Sequence, residues 1–345
     1  MKQYLKDIVK CVKCGRCRTV CPSQNVLGWE SSGPRGRMLM ALGCTCDLEM
    51  SRGMIDGFLT CTTCHQCVSE CPSGADPLEI TRVVRRELID MGHVAPHQIE
   101  IMNRVSGSGN SLGDESPRTS WLDIPVDAGS FDHIYFVGCL ASYRQQETTA
   151  AIYSILRQFS VGLLEDEKCC GSPLYRLGLD TSELIEHNSY QIKKAGAHTV
   201  ITECAGCYAM FRGQYEFNVV HLSEFLSDRL EQLPLKRLNI TVSYHDPCHL
   251  GRFNKLYDAP RTVINHICTL EEMKYSREKA GCCGGGGGVR LGYPELSSMV
   301  AKDLAANIPQ GMDYVVTACP LCIRNLSDIG IKTIDLAELV RMSMV

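Results

Sequence analysis

The sequence predicts an α/β protein made of two duplicated, Rossmann-like modules, preceded by an all-α segment that carries clustered cysteines. Three observations predict this. A pattern of one cysteine, then Cys-Cys-Gly, then C-x2-C occurs twice in the same order. From residue 131 onward, short apolar runs ending at cysteines alternate with helical patterns, as in a parallel sheet covered on both faces. Ahead of them stands a doubled C-x2-C-x2-C-x3-C run, each copy followed by proline. The boundaries read as 1–102, a linker at 103–130, and modules at 131–235 and 236–345.

The totals set limits. A chain of 345 residues is long enough for two or three domains. Its net charge of −4 argues against a nucleic-acid partner recruited by bulk charge. No run approaches the roughly eighteen apolar residues a membrane helix needs, so no transmembrane segment of its own is expected. The opening MKQYLKDIVKC has no apolar core of a signal peptide. The expected location is therefore cytoplasmic, with any attachment to the inner membrane face made through a partner. Disulfides are rare there, so 21 cysteines point to metal.

The first segment carries Cys11, Cys14, Cys17 and Cys21, then Cys61, Cys64, Cys67 and Cys71, with Pro22 and Pro72 behind them. This is the two-cluster ferredoxin spacing, in which the fourth cysteine reaches the other cluster. The expected groups are Cys11, Cys14, Cys17 and Cys71 for one cubane [4Fe-4S] cluster, and Cys61, Cys64, Cys67 and Cys21 for the other. The spacer between the runs contains helix-compatible text, GRMLMALG and DLEMSRGMIDGFL, which predicts a helical ferredoxin domain rather than a hairpin one. Within it, Cys44 and Cys46 read as unligated, and Arg35 and Arg37 as donors near a cluster or toward a partner. Residues 74–102 read as helix, with Leu78, Val84, Leu88 and Ile89 at helical offsets. The Gly, Ser, Asp and Pro of VSGSGNSLGDESP mark the linker.

In the two modules, DHIYFVGC ending at Cys139 matches NITVSYHDPC ending at Cys248. AHTVITECAGC matches DYVVTACPLC, and VVHLSEFL matches TIDLAELV. The offset between copies is 109 at the lone cysteine, 113 at the pair and 115 at the C-x2-C, a drift small enough to mean duplication. The cysteines follow the strands, where open α/β sheets bind ligands. Each set has five thiols: Cys139, Cys169, Cys170, Cys204 and Cys207 in the first, and Cys248, Cys282, Cys283, Cys319 and Cys322 in the second. Five exceed what a cube or a tetrahedral zinc requires. The glycines of GCCGGGGG beside adjacent thiols suggest a multi-metal cluster pressed against backbone.

YHDPCHLGR and CCGGGGGVR resemble the CCG domains of the catalytic subunits of heterodisulfide reductase from methanogens. The doubled cysteine run is similar to the companion subunit, here fused in front, and ESSGPRGRM resembles the N-terminal part of the glycolate oxidase iron–sulfur subunit. The resemblance implies a CCG-bound, non-cubane [4Fe-4S] cluster on each five-thiol set. Zinc or an ordinary cube is the alternative for the first set, which has shorter spacing and lacks the glycine run. It also implies an oxidoreductase subunit of an anaerobic complex, passing electrons through the cubes to the CCG clusters. A relay between a flavoprotein dehydrogenase, or an acyl-CoA reductase complex, and a quinone or ferredoxin is the alternative. No flavin or nicotinamide fingerprint is present, so the expected partners are flavoprotein or other redox subunits and a membrane cytochrome subunit. The second set is where chemistry is expected. His245 and His249 flank Cys248 and read as proton-handling or loop-orienting residues. His65 reads as shielding a cluster, and Cys268 as a packed free thiol.

Overall fold

The computed structural model describes residues 1–46, 49–123, 126 and 129–345. Among these, no strand precedes His133. The cysteine runs are held by short helices, several started by a proline whose missing N–H costs nothing at that position: Pro22–Leu27, Pro34–Cys44, Pro77–Asp90 and Pro96–Ser108. Asp76 caps the third of these, accepting from Leu78 N at 3.0 Å and Glu79 N at 2.8 Å. A small core of Met38, Ala41, Phe58, Ile80, Val84 and Leu88 lies between them.

The single helix expected over 74–102 is two. Gly92 adopts φ +85° after the first, and Pro96 opens the second, which continues to Ser108. A left-handed glycine followed by proline is a helix stop and restart. The segment expected to link the domains is also less inert than its composition suggests. Its first residues are helical, Asn110 and Trp121 are buried, and the Gly109 carbonyl accepts from Cys169 N at 2.7 Å.

From residue 131 the chain is mixed α/β. One parallel sheet has β1 (His133–Tyr135), β2 (Val161–Gly162), β3 (Thr199–Thr202) and β4 (Asn218–His221), in the order β2-β1-β3-β4. The other has β5 (Thr241–His245), β6 (Thr269–Leu270), β7 (Tyr314–Thr317) and β8 (Thr333–Asp335), in the order β6-β5-β7-β8. All strand pairs are parallel. Residues of both sheets share one apolar core, with Ile134, Phe136, Val200, Val242 and Val316 at its centre. The four central strands end just before Cys139, Cys204, Cys248 and Cys319, so sheet geometry carries these four candidate ligands to the C-terminal strand ends.

Candidate cluster sites

The two N-terminal runs share a backbone path. Lys13 (φ +60°) and Thr63 (φ +53°) precede the middle cysteine, and Gly15 (φ +80°) and His65 (φ +69°) follow it. Left-handed angles are costly for Lys, Thr and His, so their recurrence at matching positions marks a constraint. The turns bring three thiols of each run together. Cys17 has Cys11, Cys71 and Cys14 as charged neighbours, whereas Cys67 has Cys61, Cys64 and Cys21. The fourth cysteine of each run therefore stands with the other run's triplet. Burial raises the thiols of Cys17, to about 11, and Cys67. Arg37, fully buried, donates to the Gly57 carbonyl at 2.7 Å and faces Cys61, Cys21 and Cys67.

The two five-thiol sets also match. Gly171 (φ +88°) and Gly284 (φ +86°) follow the paired cysteines, where the chain needs a left-handed turn. In the first set, hydrogen-bonded thiols run Cys139–Cys169–Cys170–Cys207–Cys204. In the second they run Cys248–Cys282–Cys283–Cys322–Cys319, with Cys283 and Cys322 sulfurs 3.2 Å apart. Donation from Cys169 and Cys207 draws Cys170 down to about 6, and donation from Cys282 and Cys322 lowers Cys283. Cys207 and Cys319 draw Cys204 well down too, so the thiols most readily held as thiolate are Cys170 and Cys204 in the first set and Cys283 in the second.

Two further contacts join the sets. Cys204 neighbours Cys319 across the two sheets, and Cys282 neighbours Cys64 of the N-terminal segment. The thiols form an unbroken run from Cys64 through the second set to the first. Around the Cys64–Cys282 contact the seam is tight. Thr62 Oγ1 lies 3.5 Å from Cys282, and Arg252 donates to the Cys64 carbonyl at 2.9 Å. A Cβ on Gly286 would sit 2.5 Å from the Thr62 carbonyl, and one on Gly287 2.3 Å from the Cys61 carbonyl. The glycine run thus serves close approach to the Cys61–Thr63 loop.

The histidines separate. His245 lies with Cys283 and Cys322, their donor atoms within 4.8 Å of one another, and its Nδ1 has no hydrogen-bond partner. That is the one trio of potential ligands so close among the described residues, and it belongs to the second set. His249 bridges the modules. Arg176, reaching from the first, contacts its Nε2, and Cys248 Sγ lies 3.3 Å from its Nδ1. A guanidinium only donates, so Nε2 accepts and the proton sits on Nδ1, facing Cys248. Burial, then Arg176 and Arg252, keep His249 neutral well below its usual range. His65 packs 4.5 Å from Phe253, beside this group.

Sequence reasoning named Arg37 but missed the other arginines. Arg176 faces Cys248, Cys170, Cys204 and Cys319. Arg118, from the expected linker, reaches within 3.7 Å of Cys139 and pairs with Glu167 at 2.9 Å, while Glu167 accepts from Val137 N and Gly138 N. Arg85 donates to the carbonyls of Phe58, Leu59, Cys61, Arg176 and Gly287, which come from all three parts of the chain. The one available signal was a charge, Arg85, beside the apolar stripe of its helix. Of the remaining cysteines, Cys44 contacts Met50 Sδ at 3.0 Å, Cys46 is exposed and Cys268 is fully buried.

All-thiol donor groups, mostly buried and with arginines close by, fit iron–sulfur clusters and define an iron–sulfur redox protein. Residues 7–75 match the 4Fe-4S dicluster domain, and residues 133–212 and 242–327 match the cysteine-rich CCG domain. The chain is 32% identical to a subunit of the dihydromethanophenazine:CoB--CoM heterodisulfide reductase of Methanosarcina mazei, over 94% of this chain and 89% of that one. It is 33% identical to a subunit of the CoM/CoB fumarate reductase of Methanothermobacter marburgensis, over 99% and 73%. It is 24% identical to the EtfAB:quinone oxidoreductase of Syntrophomonas wolfei, over 97% and 56%. The chain belongs to the family of heterodisulfide reductase-like iron–sulfur oxidoreductase subunits. No described helix is long and apolar enough to cross a membrane.

Proposed function

We propose that the chain is an electron-carrying and disulfide-handling subunit, with a helical ferredoxin domain at 1–102 and Rossmann-like CCG modules at 131–235 and 236–345. In this reading Cys11, Cys14, Cys17 and Cys71 hold one cubane cluster, and Cys61, Cys64, Cys67 and Cys21 the other. The two five-thiol sets hold the CCG clusters. When bound, such clusters supply one-electron steps and, at an open edge, a site for a substrate sulfur. The observation that carries the reading is the thiol run from Cys64 through Cys282 to Cys319 and Cys204. Only contact distances separate one set from the next.

The chain's own residues do the rest. Arg252 and Arg176 supply positive charge beside thiols that become anionic when they bind metal. His249 holds its proton on the atom facing Cys248, and His245 lies beside Cys283. These place two imidazoles where the reduction of a disulfide to two thiols consumes protons. The names of the relatives, subunits of redox complexes, support redox partner subunits, and a flavoprotein is the partner this reading expects. The relay reading, with no substrate bound, is favoured by the burial of Cys282 and Cys283.

The two are separated by anaerobic electron paramagnetic resonance of the oxidised protein with candidate thiols. A thiol-dependent signal that disappears in Cys283→Ser, while the N-terminal cubes still fill, supports disulfide chemistry. No such signal with any physiological thiol, in protein carrying both CCG clusters, leaves the relay.

A further inference from the structure

Burial of the candidate ligands increases along the chain of sets. Cys14 is exposed and Cys11, Cys17 and Cys71 are half-buried, whereas almost every thiol of the two five-thiol sets is buried. The set around Cys14 is therefore the one that a separate protein can approach. The surface around it has two features the fold itself does not use.

The first is apolar. Val9 is 58% exposed, Val12 66% and Trp29 72%. Trp29 is tied to the Cys14 loop by charge. Its neighbour Glu30 pairs with Arg35 at 2.7 Å and Arg18 at 2.8 Å, and Arg35 also donates to the Lys13 carbonyl at 3.5 Å. An exposed tryptophan tied to a loop flanked by exposed valines is the composition of an interface centre. The second feature is charge. Residues 1–18 hold six Lys and Arg against one acid, Asp7, a net of +5 in a chain of net −4, leaving −9 on the rest. Lys6 and Lys13 have no acidic partner among the described residues.

We propose that this face docks an acidic redox protein, which exchanges electrons with the group held by Cys11, Cys14, Cys17 and Cys71. The proposal rests on the reading that those thiols hold a cluster. In each encounter one electron leaves the partner's reduced centre and enters this set, and no bond forms. Three observations favour this occupant. The basic patch complements acidic protein and steers its approach. A second copy of the chain would set one basic face against another. A lipid surface is disfavoured because the local helix Leu5–Ile8 has four residues, too few to lie in an interface as an amphipathic element.

The test uses a strongly acidic bacterial two-cluster ferredoxin, photoreduced, as electron donor to the iron-loaded protein in stopped flow. Wild type is compared with Lys6→Glu/Lys13→Glu and with Trp29→Ala, and iron content and visible spectrum are read for each. The expected rate constant falls steeply with ionic strength and drops by about tenfold or more in the double variant. Trp29→Ala raises the half-saturating ferredoxin concentration severalfold. A rate that ignores salt and both variants, in fully loaded protein, overturns the docking face. Wild type that lacks iron at this set overturns the cluster reading beneath it. Flotation with phosphatidylglycerol vesicles that is lost in the double variant, while the electron-transfer rate is unchanged, assigns the patch to lipid instead. A dimer in sedimentation that Trp29→Ala dissolves assigns it to a second copy.

Discussion

Arg85 is the residue on which the three parts of the chain converge. Its guanidinium is fully buried and has no carboxylate partner among the described residues; it is paired instead with backbone carbonyls. Burial and the nearby Arg37 lower its pKa to about 10, so the charge persists at neutral pH. Replacing it leaves several buried carbonyls without donors. Arg85→Met is expected to lower stability by roughly 3–5 kcal/mol, read as the midpoint of anaerobic urea unfolding. Arg82→Met, in the same helix but pairing with Glu79 near the surface, is expected to change it by less than about 1 kcal/mol. At this scale the sequence was half legible. Cysteine spacing identified every thiol the structure gathers, because ligand geometry fixes spacing. The arginines that face those thiols come from distant segments, and nothing in TRVVRREL or SPLYRL announces where a long side chain will end.

Between elements, the glycine run is the clearest constraint. Gly287 has φ +62° and presses on the Cys61 carbonyl. Gly287→Ala is expected to part the seam and lower iron content, whereas Gly311→Ala, equally left-handed but with open space around its added methyl, is expected to cost stability without losing iron. The helix Pro96–Ser108 offers a second test. His97 packs 5.8 Å from Tyr293, and its Nε2 has no partner. Burial, then Arg85, lowers its pKa. A base with a depressed folded pKa binds fewer protons folded than unfolded, so stability is retained above the ordinary histidine range and falls as pH drops below it. Thermal unfolding is expected at lower temperature at pH 6 than at pH 7.5, with a smaller difference in His97→Phe. Element legibility followed length and contrast. The four central strands could be read because each apolar run stops at a cysteine. β2 and β6, two residues each, exist only through pairing. The break at Gly92–Pro96 was hidden by apolar offsets that continue on both sides.

The molecule as a whole divides unequally in packing. One large core serves both sheets, while the N-terminal segment has a much smaller one and holds its exposed thiols on loops. Small domains with little core depend on bound metal for order. Anaerobic removal of iron with a chelator is expected to speed amide exchange across residues 7–75 while β3, β5 and β7 stay protected. If all four groups of thiols hold four-iron clusters, the intact protein carries about sixteen irons per chain. Iron near twelve with one zinc would place zinc in one five-thiol set.

The seam between the glycine run and the Cys61–Thr63 loop also bears on which thiols a reagent can reach. Cys64 and Cys282 lie at it, 7% and 4% exposed. In iron-free protein a maleimide is therefore expected to modify Cys14, which is exposed, well before Cys64 or Cys282. Arg85→Met, which removes a guanidinium that joins the Cys61 and Gly287 carbonyls, is expected to narrow that difference.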